Sequence, residues 1–176
     1  AAEQKTLRLS LLAEVKEWGE RLSSLAQEGA ADWKAAQREL GEFSRRWREA
    51  GHVSEKIFAE LQPQWKAVLQ EASKPLEQAQ QSSIAARQQM IAEAAAQASG
   101  PLRIDAVKAL QQRWQQESQR VPLERRQEQK LWEAFRKPID EAFQRKSQQR
   151  EQLAAVFSQR DRSVLDAARA LETAIA

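Results

Sequence analysis

The side chains with the most chemical potential in this chain are one histidine, six tryptophans and a late run of arginines and lysines. His52 is the only histidine and lies between Gly51 and Val53, in a stretch that reads as a turn. A metal site or a nucleophilic triad needs an imidazole with carboxylates, thiols or a hydroxyl arranged around it. The chain has no cysteine, and its acids fall mostly three or four residues from Arg or Lys, as Glu17 does from Arg21 and Glu133 from Lys137. That spacing supports helices weakly and builds no proton relay. No Gly-rich loop follows a strand pattern, so phosphate cradling of the dinucleotide or P-loop kind has no basis. The expectation is a protein that is not an enzyme, with no catalytic residue, no cofactor, no metal site and no small-molecule substrate.

The basic residues point elsewhere. Arg125, Arg126, Lys130, Arg136, Lys137, Arg145, Lys146 and Arg150, with Trp132 among them, are the candidate contact for an anionic partner or nucleic acid. Arginine and lysine neutralise phosphate with a strong salt dependence, and an indole face accepts a stacked base. Glu124, Glu128, Glu133, Asp140 and Glu141 interrupt the run, so a solvated helix face is the competing reading. A smaller cluster is Arg45, Arg46 and Arg48. The net charge is +3, unevenly placed: residues 1–98 carry 13 Lys/Arg against 14 Asp/Glu, and residues 99–176 carry 15 against 11. Trp18, Trp33, Trp47, Trp65 and Trp114 fall on apolar stripes at helical spacing, which makes them core.

The elements that position these residues are helices. The 176 residues include 41% hydrophobic and 30% charged types, five Gly, five Pro and no Tyr, which is the composition of long helices. Leu7, Leu11, Val15, Trp18, Leu22 and Leu25 share one face and predict a helix from Glu3 to Gln27, stopped by Gly29. Asp32 caps a second, whose stripe Trp33, Ala36, Leu40, Phe43, Trp47 and Ala50 steps 3, 4, 3, 4, 3 like a coiled-coil seam. Gly51 ends it, and Ser54 caps a third, with Phe58, Leu61, Trp65, Val68, Ala72, Leu76 and Ala79 in phase. Pro63 and Pro75 predict kinks or restarts. Ala-rich residues 78–98 read as a connecting helix, with 84–98 as a strip for a partner helix. Ser99-Gly100-Pro101 marks a boundary. A fourth helix carries Ile104, Val107, Leu110 and Trp114. A fifth starts with Pro122 at its first position and carries Leu131, Trp132, Phe135, Ile139 and Phe143, kinked near Pro138. Lys146 and Arg150 leave the core, Leu153, Val156 and Phe157 resume it, Arg160-Asp161 breaks the helix, and a last segment carries Val164, Ala168, Leu171 and Ile175.

Two stretches repeat one another. Leu40, Phe43 and Trp47 match Val107, Leu110 and Trp114; Val53 matches Val121; Leu61, Trp65 and Leu69 match Leu131, Phe135 and Ile139. Trp47-x3-Gly51-x-Val53, and Val121-Pro122 followed by Leu131-Trp132-x2-Phe135, resemble the repeat of a bacterial family catalogued as domain of unknown function 349. The first copy has Leu61-Gln62-Pro63 where Leu-Trp belongs, and the second has Ser118-Gln119 where the Gly belongs. The resemblance implies tandem helical repeats and brings no reaction, cofactor or substrate.

The expected fold is all-α: an elongated helical-hairpin repeat, or antiparallel bundle, with long kinked helices. Residues 1–30 form an N-terminal helix packed on the repeats, 31–98 the first repeat, and 99–176 the second with a C-terminal helix. Trp47, Gly51, Val53, Trp114, Val121, Leu131 and Phe135 are its structural repeat residues. No run is apolar enough to span a bilayer, no membrane partner is expected, and the lack of cysteine suits a reducing cytoplasm. A start without Met suits a piece of a longer bacterial protein. The leading functional expectation is a non-enzymatic scaffold or protein-interaction module with a protein partner; the alternative is an RNA or ribonucleoprotein binder using the basic fifth helix.

Overall fold

A computed structural model describes residues 2–175. The chain is all-α: α1 (Ala2–Gln27), α2 (Trp33–Arg48), α3 (Glu55–Ala98), α4 (Ile104–Arg120) and α5 (Arg125–Ile175), with no strand among the described residues. The helix ends follow from capping chemistry. Ala30 N–H donates to Leu25 C=O at 2.9 Å and Gly29 N–H to Ala26 C=O at 3.2 Å, with Gly29 at φ 71°. That pair closes the last turn of α1 in the left-handed manner that glycine permits. The Asp32 carboxylate accepts from Ala35 N–H at 3.1 Å, and the Ser54 hydroxyl accepts from Ile57 N–H at 3.3 Å.

The chain divides into two units. The first joins Ala1–Gln89 to Gln111–Glu128. Its core is the apolar faces of α1, α2 and the first half of α3: Leu11, Val15, Trp18 and Leu22 with Phe43, Trp47, Leu61, Trp65, Ala72 and Leu76, closed by Val121. Trp47 and Trp65 stack with ring centroids 4.4 Å apart, and Trp18 meets Phe43 edge-on at 5.5 Å. Burying an indole leaves its N–H in need of an acceptor. Trp18 Nε1 donates to Glu39 at 2.6 Å and Trp47 Nε1 to Gln62 at 3.1 Å. Gly19 lets α1 approach α3 closely, since a Cβ there would lie 2.8 Å from that of Ala72. The second unit joins Met90–Leu110 to Gln129–Ala176, and its buried residues are Met90, Ala94, Ala98, Val107, Leu110, Phe135, Ile139 and Ala142.

Several expectations need correction. Pro122 does not open α5. Val121 and Leu123 are buried in the connection, and the helix starts at Arg125 with Glu124 C=O accepting from Glu128 N–H. Pro63 and Pro75 restart no helix, for α3 continues through both, and α5 likewise continues through Pro138. Arg160-Asp161 does not break α5 either; Arg is a good helix former and the cost of one Asp in an exposed helix is small. Leu7, Leu25, Phe58, Ile104 and Phe143 lie on their stripes but are exposed, because each falls at a helix end or beyond what its neighbours cover. Met90, Ala94 and Ala98 are buried inside the molecule, so 84–98 is no free strip. Leu153, Val156, Phe157, Val164, Leu171 and Ile175 never rejoin a core: every described residue from 147 onward is exposed.

Candidate functional site

Arg87, on α3 in the first unit, is fully buried. Its guanidinium donates to Val121 C=O at 2.7 Å, to the Ser83 hydroxyl at 3.2 Å and to the Glu128 carboxylate, and it lies 5.9 Å from the ring of Trp114. Arg8, on α1, is 5% exposed, donates to Gly51 C=O at 2.9 Å, and sits 4.6 Å over the ring of Trp47. In both places an arginine from the helix preceding a helix–turn–helix crosses to the turn, donates to a turn carbonyl and covers the tryptophan just before it. Gly51 stands at φ 94°, a conformation strained for other residues, with Gln4 packed where its Cβ would be. The two arginines differ in their remaining donors. Arg87 is served by a carboxylate and a hydroxyl, whereas Arg8 Nε and Nη1 meet no acceptor among the described residues.

Glu117 belongs to the Arg87 cluster. Burial pushes its carboxyl up, but hydrogen bonds from Arg120 and Ser83 and the charges of Arg120 and Arg87 together hold it below its ordinary value. Ser83, Arg87, Glu117, Arg120 and Glu128 are thus linked in one network that reaches the Val121 carbonyl.

Of the basic residues of α5, Lys146 is half-buried and the others are exposed. Arg125 and Arg126 belong to the first unit and Lys130 onward to the second. At about 100° per residue, Trp132, Arg136 and Arg150 share one line along the helix, while Lys130 and Lys137 share another roughly a third of a turn or more away. Trp132 is 42% exposed, and its ring lies 5.9 Å from that of Phe135. Arg136 pairs with Asp140 at 3.5 Å. Arg145 is committed elsewhere, donating to Ala98 C=O at 2.7 Å, where it closes the C-terminal end of α3. Lys146 and Arg145 border a shallow hollow with Ala98, Gly100 and Leu102. Of the repeat residues, Trp47, Val53, Trp114, Val121 and Phe135 are buried and Leu131 is half-buried.

His52 is exposed, and among the described residues no group of three or more His, Cys, Asp or Glu could hold a metal ion. No helix of the described residues is long and apolar enough to cross a membrane. What sequence patterning missed is Arg8 and Arg87, since a charged residue beside an apolar stripe is ordinarily a solvated flank. The signal that could have found them is the pairing of each with a tryptophan and a turn at matching places in the two stretches. Comparison with family models, characterised proteins and solved structures finds no match.

Proposed function

We propose that this chain is a non-enzymatic helical scaffold or protein-interaction module, built from two copies of one repeat of the kind its sequence resembles. The observation that carries this reading is the line of bare apolar side chains on α5. Leu153, Val156, Phe157, Val164, Leu165, Leu171 and Ile175 are between 54% and 80% exposed, and they follow one another along a single helix. A contiguous apolar strip of this length is the usual mark of a contact with another protein. The arginine under each turn, at Arg8 and Arg87, supports the repeat. The proposed setting is a larger bacterial cytoplasmic protein. The test is capture of lysate proteins on the natural chain and on a Phe157→Asp/Val164→Asp variant, before and after nuclease treatment. Proteins that survive nuclease and are lost with the variant support the reading; capture of nucleic acid alone defeats it.

A second reading, RNA or ribonucleoprotein binding, is favoured by one observation: Trp132 is exposed and shares a helix line with Arg136 and Arg150. It expects RNA affinity that falls steeply as salt rises from about 50 to 200 mM. Replacing Arg136 and Arg150 with Glu should abolish that affinity. Unchanged binding by the charge-reversed chain would remove this helix as the site.

A further inference from the structure

The bare C-terminal half of α5 repeats a face that is covered elsewhere in the chain. In α3, Ser83, Arg87, Met90, Ala94 and Ala98 are all buried. Moved on by the seventy residues that separate Trp65 from Phe135, they fall on Leu153, Phe157, Arg160, Val164 and Ala168, all exposed. The spacing is the same, one arginine stands in each set, and the later set is more apolar at its first two positions. A stripe of that form is buried in one helix and wet in the other.

The charges say what covers it. Residues 150–175 carry four arginines (Arg150, Arg160, Arg162, Arg169) and four acids (Glu151, Asp161, Asp166, Glu172), a balance of zero. A helix lying on anionic lipid or along a phosphate backbone carries an excess of Lys and Arg on its polar face. This one has none. Its charges and apolar residues are instead arranged in near-mirror fashion about the Arg160–Asp161 bond. When the segment is laid antiparallel on itself about that point, Phe157 comes level with Val164 of the other copy, Val156 with Leu165, and Leu153 with Ala168. Arg160 comes level with Asp161, Arg150 within one residue of Glu172, and Glu151 within one residue of Arg169. By two-fold symmetry every such pairing occurs twice. From Leu153 to Ala168, the stretch this register pairs, the helix runs about 22 Å.

We infer that this half of α5 is the contact face of an antiparallel homodimer, with the reversed α5 of a second copy of this chain as its occupant. The inference rests on the reading of the strip as a protein-contact face. It is tested on the full chain by sedimentation equilibrium over a range of concentrations. The natural chain is expected to dimerise. Arg160→Asp sets acid against acid across the seam and Asp161→Arg sets base against base. Each should weaken association by tenfold or more, and tenfold corresponds to about 1.4 kcal/mol. The double variant Arg160→Asp/Asp161→Arg, and an equimolar mixture of the two single variants, should recover it. Because these side chains are exposed, circular dichroism in dilute solution, where the parent too is monomeric, should show the same helix content in each. The direction is read separately. The chain has no cysteine, so Leu153→Cys should cross-link to Ala168→Cys across copies and not to itself.

A natural chain that stays monomeric at hundreds of micromolar overturns the inference. So do single variants that dimerise like the parent, a mixture that shows no rescue, or preferential Leu153→Cys self-linkage. Association seen only on anionic vesicles overturns it too. A monomeric chain whose Phe157→Asp/Val164→Asp variant still loses its captured partners would defeat the dimer and leave the scaffold reading standing.

Discussion

Two arginines carry the sharpest residue-level consequences. Arg87 is buried with a carbonyl, a hydroxyl and a carboxylate around it, so removing it strands groups that α3, α4 and the start of α5 hold in place. Breaking a buried charged pair costs about 3–5 kcal/mol. Arg87→Met should show a loss of that size in the midpoint of urea unfolding, and a variant that unfolds with the parent would mean that water replaces the network freely. Arg8 makes the same reach to a turn carbonyl but has donors to spare. Seventy residues before Glu128, the partner of Arg87, stands Phe58, exposed and 6.0 Å from Arg8. Phe58→Glu should supply the missing carboxylate, and a hydrogen bond to a charged group contributes about 1.5–3 kcal/mol. Thermal unfolding should shift upward, with Arg8→Met abolishing the gain. Trp47 carries the packing side of the same site, stacked on Trp65 beneath Arg8, so Trp47→Ala should cost about 3–5 kcal/mol.

At the scale of elements, what joins α1 to α2 is partly legible in pH. Arg46 donates to both carboxylate oxygens of Glu14, at 3.0 and 2.8 Å. Those hydrogen bonds, first, and the charges of Arg46 and Arg21 hold the Glu14 carboxyl below its ordinary value of 4.5, against a push upward from desolvation. A depressed folded value means that the contribution is fully present above that ordinary value and is lost as pH falls through the depressed one. Both side chains are nearly half exposed, so at neutral pH the pair is worth no more than about 1 kcal/mol. Glu14→Gln should therefore lower the melting temperature slightly at pH 7 and flatten its fall under acid conditions; an unchanged acid limb would place that sensitivity on Glu117 instead. The helices themselves were largely readable from the sequence, because their ends are written in local chemistry: Asp32, Ser54, Gly29 and Gly51 cap or stop them with their own atoms. Pro122 misled because its fixed φ suits a first turn, yet Val121 and Leu123 on either side are held in the core, and the chain cannot begin to coil until they have passed. Periodicity named the faces but not how far each was covered. Leu7, Phe58 and Leu153 obey the same spacing as Leu11, Leu61 and Phe135, and only the presence of a neighbouring helix distinguishes them. Arg8 and Arg87 were illegible for the opposite reason, since what makes them buried is a turn far away in sequence.

Over the whole molecule, support for the helices is uneven, and that unevenness is measurable. The first half of α3 is packed through Leu61, Trp65, Ala72 and Leu76 in one core with Val15 and Trp47, so its amides should open only with global unfolding. The last 25 or so residues of α5 have no buried side chain and depend on their own helix propensity, which for a single helix of this length in water is marginal. In dilute solution, hydrogen exchange there should be faster by orders of magnitude than in α1 or the first half of α3. Self-association changes this in one direction only, because a seam that buries Phe157, Val164 and Leu165 must be disrupted before those amides exchange. Protection across 150–175 should therefore rise with protein concentration, while the protection of α1 stays where it was. Arg160→Asp should hold the segment at its dilute value at every concentration. A segment already protected in dilute solution would owe its stability to something other than a second copy, and one unprotected at every concentration would be a bare helix.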